Sequence, residues 1–300
     1  MSSSVIVSLK AIIKNAIRRL VVLSVDFMGE TFIGRHVYSQ IINNVMGRTR
    51  TIEHQGLSLT FLAPNVLSQF RVDTFSTKEP ETLDWIDSMP QGTVVWDIGA
   101  NVGLYSCYAA KRRGCKVFAF EPSVFNLELL ARNIFLNKLT ELVTIIPLPL
   151  SAALAVSKLN MTTTEWGGAL STFGKSYGYD GQPLCKTFEF STIGVSMSEA
   201  VELLKIPKPD YIKMDVDGIE HLILNGGTAV LQNAQSILVE INDDFRAQAE
   251  GAMRCLIAAG LELEEKRLWK GCDNSPFAST YNQIWHRDAS RRVPQGEKSL

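Results

Sequence analysis

The chain has 300 residues, of which 46% are hydrophobic and 20% are charged. This composition is typical of a globular protein that buries a sizeable core, and it excludes a disordered chain. The formal net charge is −1, so the basic excess of proteins that bind a phosphate backbone is missing, and we expect no nucleic acid partner.

Five cysteines are scattered without CxxC pairs, at Cys107, Cys115, Cys185, Cys255 and Cys272. An odd number of dispersed thiols suggests neither a disulfide framework nor a zinc site. We therefore expect reduced, mostly buried thiols and a cytoplasmic location.

Apolar residues recur at helical spacing within residues 1–30, but Lys10, Lys14, Arg18 and Arg19 interrupt them. A membrane-spanning helix needs about 20 predominantly apolar residues, so we do not predict one here. We predict an amphipathic helix that packs onto its own domain. Peripheral contact with an anionic membrane and a role as a transit peptide are the open alternatives.

An accessory region of helices and β structure is predicted for residues 1–90. Apolar and polar residues alternate over residues 50–61, which favours β structure, and a helix is predicted for residues 79–88. The main domain is predicted for residues 91–288, and a polar tail follows at residues 289–300.

From residue 93 onward, short apolar runs alternate with helical patterns, which is typical of βα units around a mostly parallel sheet. The strands are predicted at 94–98, 116–120, 143–148, 211–214 and 236–241. The helices between and after them are predicted at 104–113, 123–137, 198–204, 220–231 and 245–259. Two late segments, 262–268 and 281–286, are predicted to form an antiparallel edge pair.

An insertion rich in glycine and aromatic residues, 154–195, separates the third and fourth of these strands. Such a loop in an α/β domain is more often a lid or binding loop than a plain connection. We predict that Trp166, Tyr177 and Tyr179 contact the substrate. An aromatic cluster that covers the sheet edge is the alternative.

The first strand leads into a glycine-rich turn, Asp97-Ile98-Gly99-Ala100-Asn101-Val102-Gly103. Ligands of open α/β sheets bind outside the carboxyl ends of strands, and Gly99 and Gly103 would allow a ligand and the following helix to approach closely. Asp97 adds a carboxylate, which suits a ligand with an amino group and a sulfonium and would repel a pyrophosphate.

The second strand ends in Phe120-Glu121-Pro122, about 20 residues past the turn. Glu121 is placed where an acid accepts both hydrogen bonds of a ribose diol. The turn lacks the GxGxxG spacing of dinucleotide-binding proteins, and the chain contains no GxxxxGK[ST] segment. Both a nicotinamide dinucleotide and ATP are therefore disfavoured as ligands.

The fourth strand ends in a run of acids, Lys213-Met214-Asp215-Val216-Asp217-Gly218-Ile219-Glu220-His221. These acids lie at the same sheet edge as Asp97 and Glu121. Asp217 and Glu220 could instead cap the next helix, whereas Asp215 lies at the strand end itself.

In this order, the three motifs resemble the FkbM-type methyltransferase family, over about residues 93–286, and the ending Tyr281-Asn282-Gln283-Ile284-Trp285 is similar to that family's last strand. The resemblance implies an α/β, Rossmann-like class I fold with a mostly parallel seven-stranded sheet and an antiparallel edge strand. It also implies S-adenosylmethionine as cofactor. The cofactor-binding residues that we predict are Asp97, Gly99, Ala100, Asn101, Gly103, Glu121, Pro122 and Asp215.

The chain departs from the family pattern at two places. Asp217 stands where the family usually has Glu, which shortens the reach of that carboxylate by one methylene. Ser196 or Ser198 stands where many members have Asp, so an acid role shared at that position is in doubt.

Methyl transfer to a hydroxyl needs a general base within hydrogen-bond reach. The candidates are Asp215, Asp217, Glu220 and His221, of which Asp215 is favoured. A histidine one turn into a helix, as at His221, is more often a surface residue, although the unperturbed pKa of His suits base catalysis. We predict O-methylation of a sugar, glycan or other small-molecule acceptor.

The sequence is compatible with three other interpretations. Asp215, Asp217, Asn242 and Asp243 offer oxygen ligands that suit Mg²⁺, but acids at strand ends also bind water and cap helices, so we predict no metal site. A nucleotide-cofactor oxidoreductase and a non-catalytic protein that keeps the fold are the alternative functions.

Overall fold

The structure is a computed structural model, and it describes residues 3–268 and 277–287. The predicted tail at 289–300 and Cys272 lie outside the described residues. Contacts divide the chain into two compact units, Met1–Arg48 and Thr49–Leu300.

The first unit is a pair of helices, α1 (Ser3–Gly29) and α2 (Phe32–Met46). Thr31 ends the short connection between them and caps α2, because its Oγ1 accepts a hydrogen bond from the Gly34 amide at 2.9 Å. Helix α1 confirms the helix predicted within residues 1–30, whereas its packing onto the main domain stays a prediction. In the described part of the chain, no helix combines the length and apolarity needed to cross a membrane.

The strands of the second unit are, in chain order, β1 (Thr49–His54), β2 (Leu57–Leu62), β3 (Val94–Ile98), β4 (Lys116–Phe120), β5 (Val143–Ile146), β6 (Ala155–Met161), β7 (Ser171–Phe173), β8 (Phe188–Gly194), β9 (Tyr211–Met214), β10 (Ser236–Asn242), β11 (Leu261–Leu268) and β12 (Thr280–Arg287). The helices are α3 (Val66–Asp73), α4 (Phe75–Lys78), α5 (Pro80–Ser88), α6 (Leu104–Arg113), α7 (Val124–Leu136), α8 (Met197–Glu202), α9 (Glu220–Asn225), α10 (Thr228–Leu231) and α11 (Arg246–Ala258).

Among the described residues, seven strands form the central sheet in the order β11-β12-β10-β9-β3-β4-β5. The pairs β10–β9, β9–β3, β3–β4 and β4–β5 are parallel, whereas β12 is antiparallel to both of its neighbours. This confirms the Rossmann-like fold class, with the reversed strand one position in from the edge. The carboxyl ends of β3, β4, β9 and β10 consequently meet at one edge of the sheet.

The predicted boundary near residue 90 does not coincide with the division at residues 48 and 49. The β1–β2 hairpin is bound to α7: Asn133 Oδ1 accepts from the Leu62 amide at 2.8 Å, and Asn137 bonds both backbone groups of Thr60. Trp85 of α5 donates to Ser236 Oγ of the central sheet at 2.8 Å. These hydrogen bonds make residues 49–90 part of the second unit.

The predicted helix at 220–231 is interrupted after Asn225 by Gly226 and Gly227. A Cβ at Gly226 would lie 2.6 Å from the Ala152 carbonyl oxygen, and one at Gly227 would lie 2.3 Å from Met197 Sδ. The two glycines therefore allow α8 and the loop between β5 and β6 to pack closely against the break between α9 and α10.

Candidate functional site

A cavity of about 370 Å³ follows the carboxyl edge of the central sheet. One end lies at Leu148–Leu150 after β5, and the other at Thr280 and Asn282, where the reversed strand β12 begins. The cavity thus spans the strand ends at which the sequence motifs were found, as expected for an open α/β sheet.

The glycine-rich turn contributes Gly99 and Asn101 to the cavity wall. Gly99 has φ of +85°, and a Cβ there would lie 1.9 Å from the Asp215 carbonyl oxygen, so this position excludes any other residue. Asn101 also has a positive φ, and its Nδ2 donates to the Gly168 carbonyl at 2.8 Å. The turn is therefore held from β9 on one side and from the insertion on the other.

Glu121 lines the cavity at the end of β4, beside Pro122. Its Oε2 accepts from the Asn101 amide at 2.8 Å and its Oε1 from the Ser123 amide at 2.7 Å. A carboxylate oxygen can accept a second hydrogen bond, so both oxygens remain able to bind a diol. Burial raises the pKa of Glu121 to about 7.

Asp97 lies behind the turn and is not among the residues that line the cavity. Its Oδ2 accepts from Ser106 Oγ at 2.5 Å, and burial raises its pKa. Gly103 also lies outside the lining. A Cβ at this position would lie 2.4 Å from Leu130, so the glycine allows the turn and α7 to pack closely. Ala100 lines a smaller side pocket next to the turn. Asp97 and Gly103 therefore lie behind the cavity wall, and ligand contact by these two residues stays a prediction.

Asp215 lines the cavity at the end of β9 and forms an ion pair with Lys213, at 3.3 Å between Nζ and Oδ2. Burial alone would raise the pKa of Asp215, but the positive charges of Lys213 and Lys78 outweigh it and lower the pKa. Asp215 therefore carries its negative charge at neutral pH.

Asp217 lines the cavity two residues further on, with φ of +60°. Its Oδ2 accepts from the amides of Leu170 at 2.8 Å and Ser171 at 3.2 Å. Burial, together with the negative charges of Asp215 and Glu220, raises the pKa of Asp217 to about 7. This carboxyl group is thus poised to exchange a proton near neutral pH.

The sequence of the chain matches the model of the methyltransferase FkbM domain over residues 97–263. That match includes the glycine turn, Glu121 and the acids after β9, and it covers more than half of the chain. The chain belongs to the FkbM methyltransferase family. It is an S-adenosylmethionine-dependent methyltransferase, the first of the three functions considered from the sequence.

A curated relative is the hexuronic acid methyltransferase AglP of Haloferax volcanii, 26% identical over 198 residues, which are 63% of this chain and 73% of AglP. Among solved structures, the precorrin-6y C5,15-methyltransferase of Geobacter metallireducens aligns over 70% of this chain and 87% of its own, with 13% identity and a TM-score of 0.41. TYW2 of Pyrococcus horikoshii, solved in complex with MeSAdo, aligns over 79% of this chain and 69% of its own, with 13% identity and a TM-score of 0.43.

The charges of the cavity fit this cofactor. The ionisable side chains that line it are the carboxyl groups of Glu79, Glu121, Asp215, Asp217 and Glu240 and the cations Arg71 and Lys78. Asp215 keeps its negative charge at neutral pH, and Glu121 and Asp217 are partly ionised there, so these carboxyl groups suit a ligand that carries a sulfonium and an ammonium. We expect Gly99, Asn101, Glu121 and Asp215 to contact S-adenosylmethionine.

Glu220 and His221 are not among the residues that line the cavity. The Glu220 carboxylate accepts from the amides of Val216 and Gly218, at 3.1 Å and 3.0 Å, and from Gln248 of α11, so it ties the loop after β9 to that helix. The His221 ring packs edge-on against Phe245, with centroids 5.9 Å apart, and burial lowers its pKa. Their positions favour packing over catalysis.

The insertion contributes residues to the cavity wall, but not the three aromatic residues that the sequence predicted. Leu159, Phe173 and residues 168–171 line the cavity, whereas Trp166 lines a separate, more open cavity with Phe125. Tyr177 packs edge-on against Phe245, and Tyr179 stacks on Phe277 at 4.6 Å. Phe277 itself lines the cavity, so Tyr179 supports the wall from outside.

Ser196 caps α8 in a reciprocal arrangement with Glu199. Ser196 Oγ accepts from the Glu199 amide at 3.1 Å, and the Glu199 carboxylate accepts from the Ser196 amide at 2.8 Å. At this departure from the family pattern, the serine therefore serves the helix terminus.

Part of the cavity is lined by residues that the sequence did not predict. Arg71, Lys78 and Glu79 come from α3 to α5, in the region considered accessory, and nothing in their sequence context distinguishes them from surface residues. Glu240 could have been predicted from the sequence, because it is a lone acid within the apolar strand β10. Burial and the negative charges of Asp215 and Glu79 raise its pKa well above the usual range.

Proposed function

We propose that this methyltransferase transfers the methyl group to a hydroxyl oxygen of a sugar, a glycan or a similar small molecule. The observation that carries the proposal is Asp217, a carboxyl group on the cavity wall with a pKa of about 7. A hydroxyl must lose its proton as it attacks, and a base whose pKa lies near the working pH serves that step best.

The order of the strands supports a division of the cavity into two halves. The glycine turn after β3 and Glu121 after β4 form the cofactor half. Beyond β9, the side chains of Glu240, Phe277, Thr280 and Asn282 form the acceptor half. Because β9 lies between β3 and β10 in the sheet, Asp215 and Asp217 stand at the boundary, where the methyl group is transferred.

Asp217 is a better candidate for the base than Asp215, which the sequence favoured. Lys213 and Lys78 lower the pKa of Asp215, so Asp215 holds protons weakly. The Oδ1 atom of Asp217 makes no hydrogen bond with the described residues, because both backbone donors bind Oδ2. When bound, S-adenosylmethionine supplies an electrophilic methyl group. Asp217 accepts the hydroxyl proton as the O–C bond forms and the C–S bond breaks.

The similarity to a hexuronic acid methyltransferase supports a sugar as the acceptor. Polar side chains next to one aromatic ring, Phe277, are a combination that suits the polar and apolar faces of a sugar ring.

A direct test incubates the purified protein with S-adenosylmethionine and paired acceptors, methyl glucuronoside and methyl glucoside, and measures S-adenosylhomocysteine and the mass of the product. We expect a mass gain of one methyl group on the sugar, and its rate of formation should fall by about 10² to 10⁴ in Asp217→Asn. Methyl transfer to a nitrogen or carbon acceptor, with no product from a panel of hydroxylated sugars, would contradict the proposal.

We further propose that the unit Met1–Arg48 binds an anionic membrane surface. On α1, the apolar residues Ile13, Ile17, Leu20, Leu23 and Phe27 recur at intervals of three and four residues, and they are between 50% and 76% exposed. Residues 1–48 contain six basic and two acidic side chains. A basic helix with an exposed apolar stripe is typical of helices that lie in a membrane interface.

A further inference from the structure

A small side pocket of about 50 Å³ opens beside the turn at Gly99, in contact with the main cavity's residues Arg71 and Asp215. Charges of both signs line it: the cations Arg71, Lys78 and Lys213, and the carboxyl groups of Glu79 and Asp215. A pocket with paired opposite charges suits a small zwitterion, such as the head group of an amino acid.

The cations of this pocket differ in their partners. Lys213 pairs with Asp215 at 3.3 Å and lies over the Tyr105 ring, 5.2 Å from its centroid. Lys78 pairs with Glu79 at 2.7 Å. Both ammonium groups are thus already matched by a carboxyl group.

Arg71 has no such ion pair in the described part of the chain. Its Nε donates to the Gly167 carbonyl at 2.6 Å, which fixes the plane of the guanidinium. The Nη1 and Nη2 groups make no hydrogen bond with any described residue. The guanidinium is thus oriented by its Nε hydrogen bond, and its Nη1 and Nη2 groups can donate two parallel hydrogen bonds to a carboxylate.

The position of the pocket fits a cofactor that is bound along the sheet edge. If Glu121 on β4 holds the ribose, the amino-acid arm would reach β9 by passing the turn after β3, because β3 lies between β4 and β9 in the sheet. The side pocket lies at the end of this path, between the turn and Asp215.

We propose that Arg71 binds the α-carboxylate of the cofactor's methionine arm and that Asp215 binds its ammonium group. This inference rests on the division of the cavity proposed above. Arg71 also joins the cofactor to the insertion, since the same guanidinium is bound to Gly167.

The test compares two ligands that differ only in this carboxylate, S-adenosylhomocysteine and decarboxylated S-adenosylhomocysteine, by calorimetry on the full chain. The wild type should bind the first about 10- to 100-fold more tightly, the usual contribution of a charged hydrogen-bonded pair. In Arg71→Gln this preference should fall to within about threefold, with the decarboxylated ligand bound as in the wild type. Arg132→Gln, which removes an exposed arginine paired with Glu128, is the matched control and should keep the wild-type preference.

The ratio of the two affinities separates the contact from indirect effects, because a loosened insertion would weaken both ligands alike. Arg71→Lys keeps the positive charge but loses the paired donors of the guanidinium, so it should show an intermediate ratio of affinities. It replaces Arg71→Gln in the test if the glutamine variant does not fold. An unchanged ratio in both variants, or no preference in the wild type, would overturn the assignment. If the variants keep the ratio and only the KM of the acceptor rises, Arg71 serves the acceptor instead, which also overturns it.

A third ligand, 5′-methylthioadenosine, distinguishes this failure from failure of the cavity division. It lacks the amino-acid arm, so its affinity should depend on Glu121 and not on Arg71. If Glu121→Gln leaves its affinity unchanged, the cavity division itself is wrong.

Discussion

Two carboxyl groups at the end of β9 differ in proton affinity although a single residue separates them. Asp215 faces Lys213 and Lys78, which lower its pKa, whereas Asp217 faces Asp215 and Glu220, and burial raises its pKa to about 7. Opposite shifts of neighbouring acids let one stay ionised and the other exchange protons, which is a common division of roles in active sites.

This difference predicts the pH dependence of methyl transfer. A base must be deprotonated to act, so kcat should rise as the pH increases through about 7, the pKa of Asp217, and then level off. Asp217→Asn should lower kcat by about 10² to 10⁴ and remove this rise, while Kd for S-adenosylhomocysteine changes little. Initial rates between pH 5.5 and 9 check the prediction, with Asp180→Asn, an acid of the insertion outside the cavity lining, as control. A variant that keeps the wild-type rate and profile would exclude Asp217 as the base.

Most of the residues predicted at strand ends line the cavity, but Asp97 does not. Gly99, Asn101, Glu121, Asp215 and Asp217 all line it, because the order of motif and strand predicts which edge of a parallel sheet a residue occupies. The sequence did not predict which face Asp97 takes. Neighbouring side chains of a strand point to opposite faces, so Ile98 faces the cavity and Asp97 faces Ser106 of α6.

At the scale of elements, the turn between β3 and α6 depends on a close approach of β9. Gly99→Ala should unfold at a lower temperature and lose binding of S-adenosylhomocysteine, since the new Cβ would lie 1.9 Å from the Asp215 carbonyl oxygen. Gly92→Ala is a matched control, because Gly92 also has a positive φ, of +73°, but an added Cβ there would lie in open space.

Both substitutions carry the cost of a left-handed backbone, about 1 to 2 kcal/mol, and Gly99→Ala alone adds the clash. Thermal unfolding and calorimetry of both variants measure the difference. Equal losses of stability would show that backbone conformation, and not the contact with β9, accounts for the glycine.

The central sheet was predictable and the insertion was not, for a physical reason. Buried strands such as β3 and β10 are continuous apolar runs bounded by turns, and this local signal gives both their type and their bounds. In the insertion, only parts of β6 and β8 are exposed, β7 is mostly buried, and the three strands pair with one another. Their pairing depends on tertiary contacts, such as those of Asn126 with Gly167 and Gly168, that local patterns do not show.

At the scale of the whole molecule, the two units differ in charge and surface. The chain has a net charge of −1, yet residues 1–48 have an excess of four positive charges, so the remainder of the chain is net negative. A basic, apolar helix pair joined to an acidic catalytic unit fits a protein that meets an anionic lipid surface through its first unit.

The surface of α1 predicts how this binding responds to substitution. Replacing Leu20 and Leu23, 69% and 67% exposed, by Asp removes apolar area from the interface and adds charges that anionic lipid repels, so vesicle binding should fall at least tenfold. Phe135→Asp, at a residue of α7 that is 73% exposed, is the matched control and should bind as the wild type does. Sedimentation with vesicles of phosphatidylcholine and phosphatidylglycerol in a 3:1 ratio measures both.

Electrostatic attraction to the lipid gives a second, independent prediction that the same sedimentation experiment tests. Binding should weaken as salt is raised from 0.05 to 0.5 M, because salt screens the attraction. It should also weaken on vesicles of phosphatidylcholine alone, which lack the anionic lipid, and in the double variant Arg18→Gln with Arg19→Gln, which lacks two positive charges of the protein. Wild-type protein that ignores anionic vesicles at low salt would contradict the proposal. So would a dimer, found by analytical ultracentrifugation, that the Leu20 and Leu23 substitutions dissociate, since the apolar stripe would then be an interface between two copies of the chain.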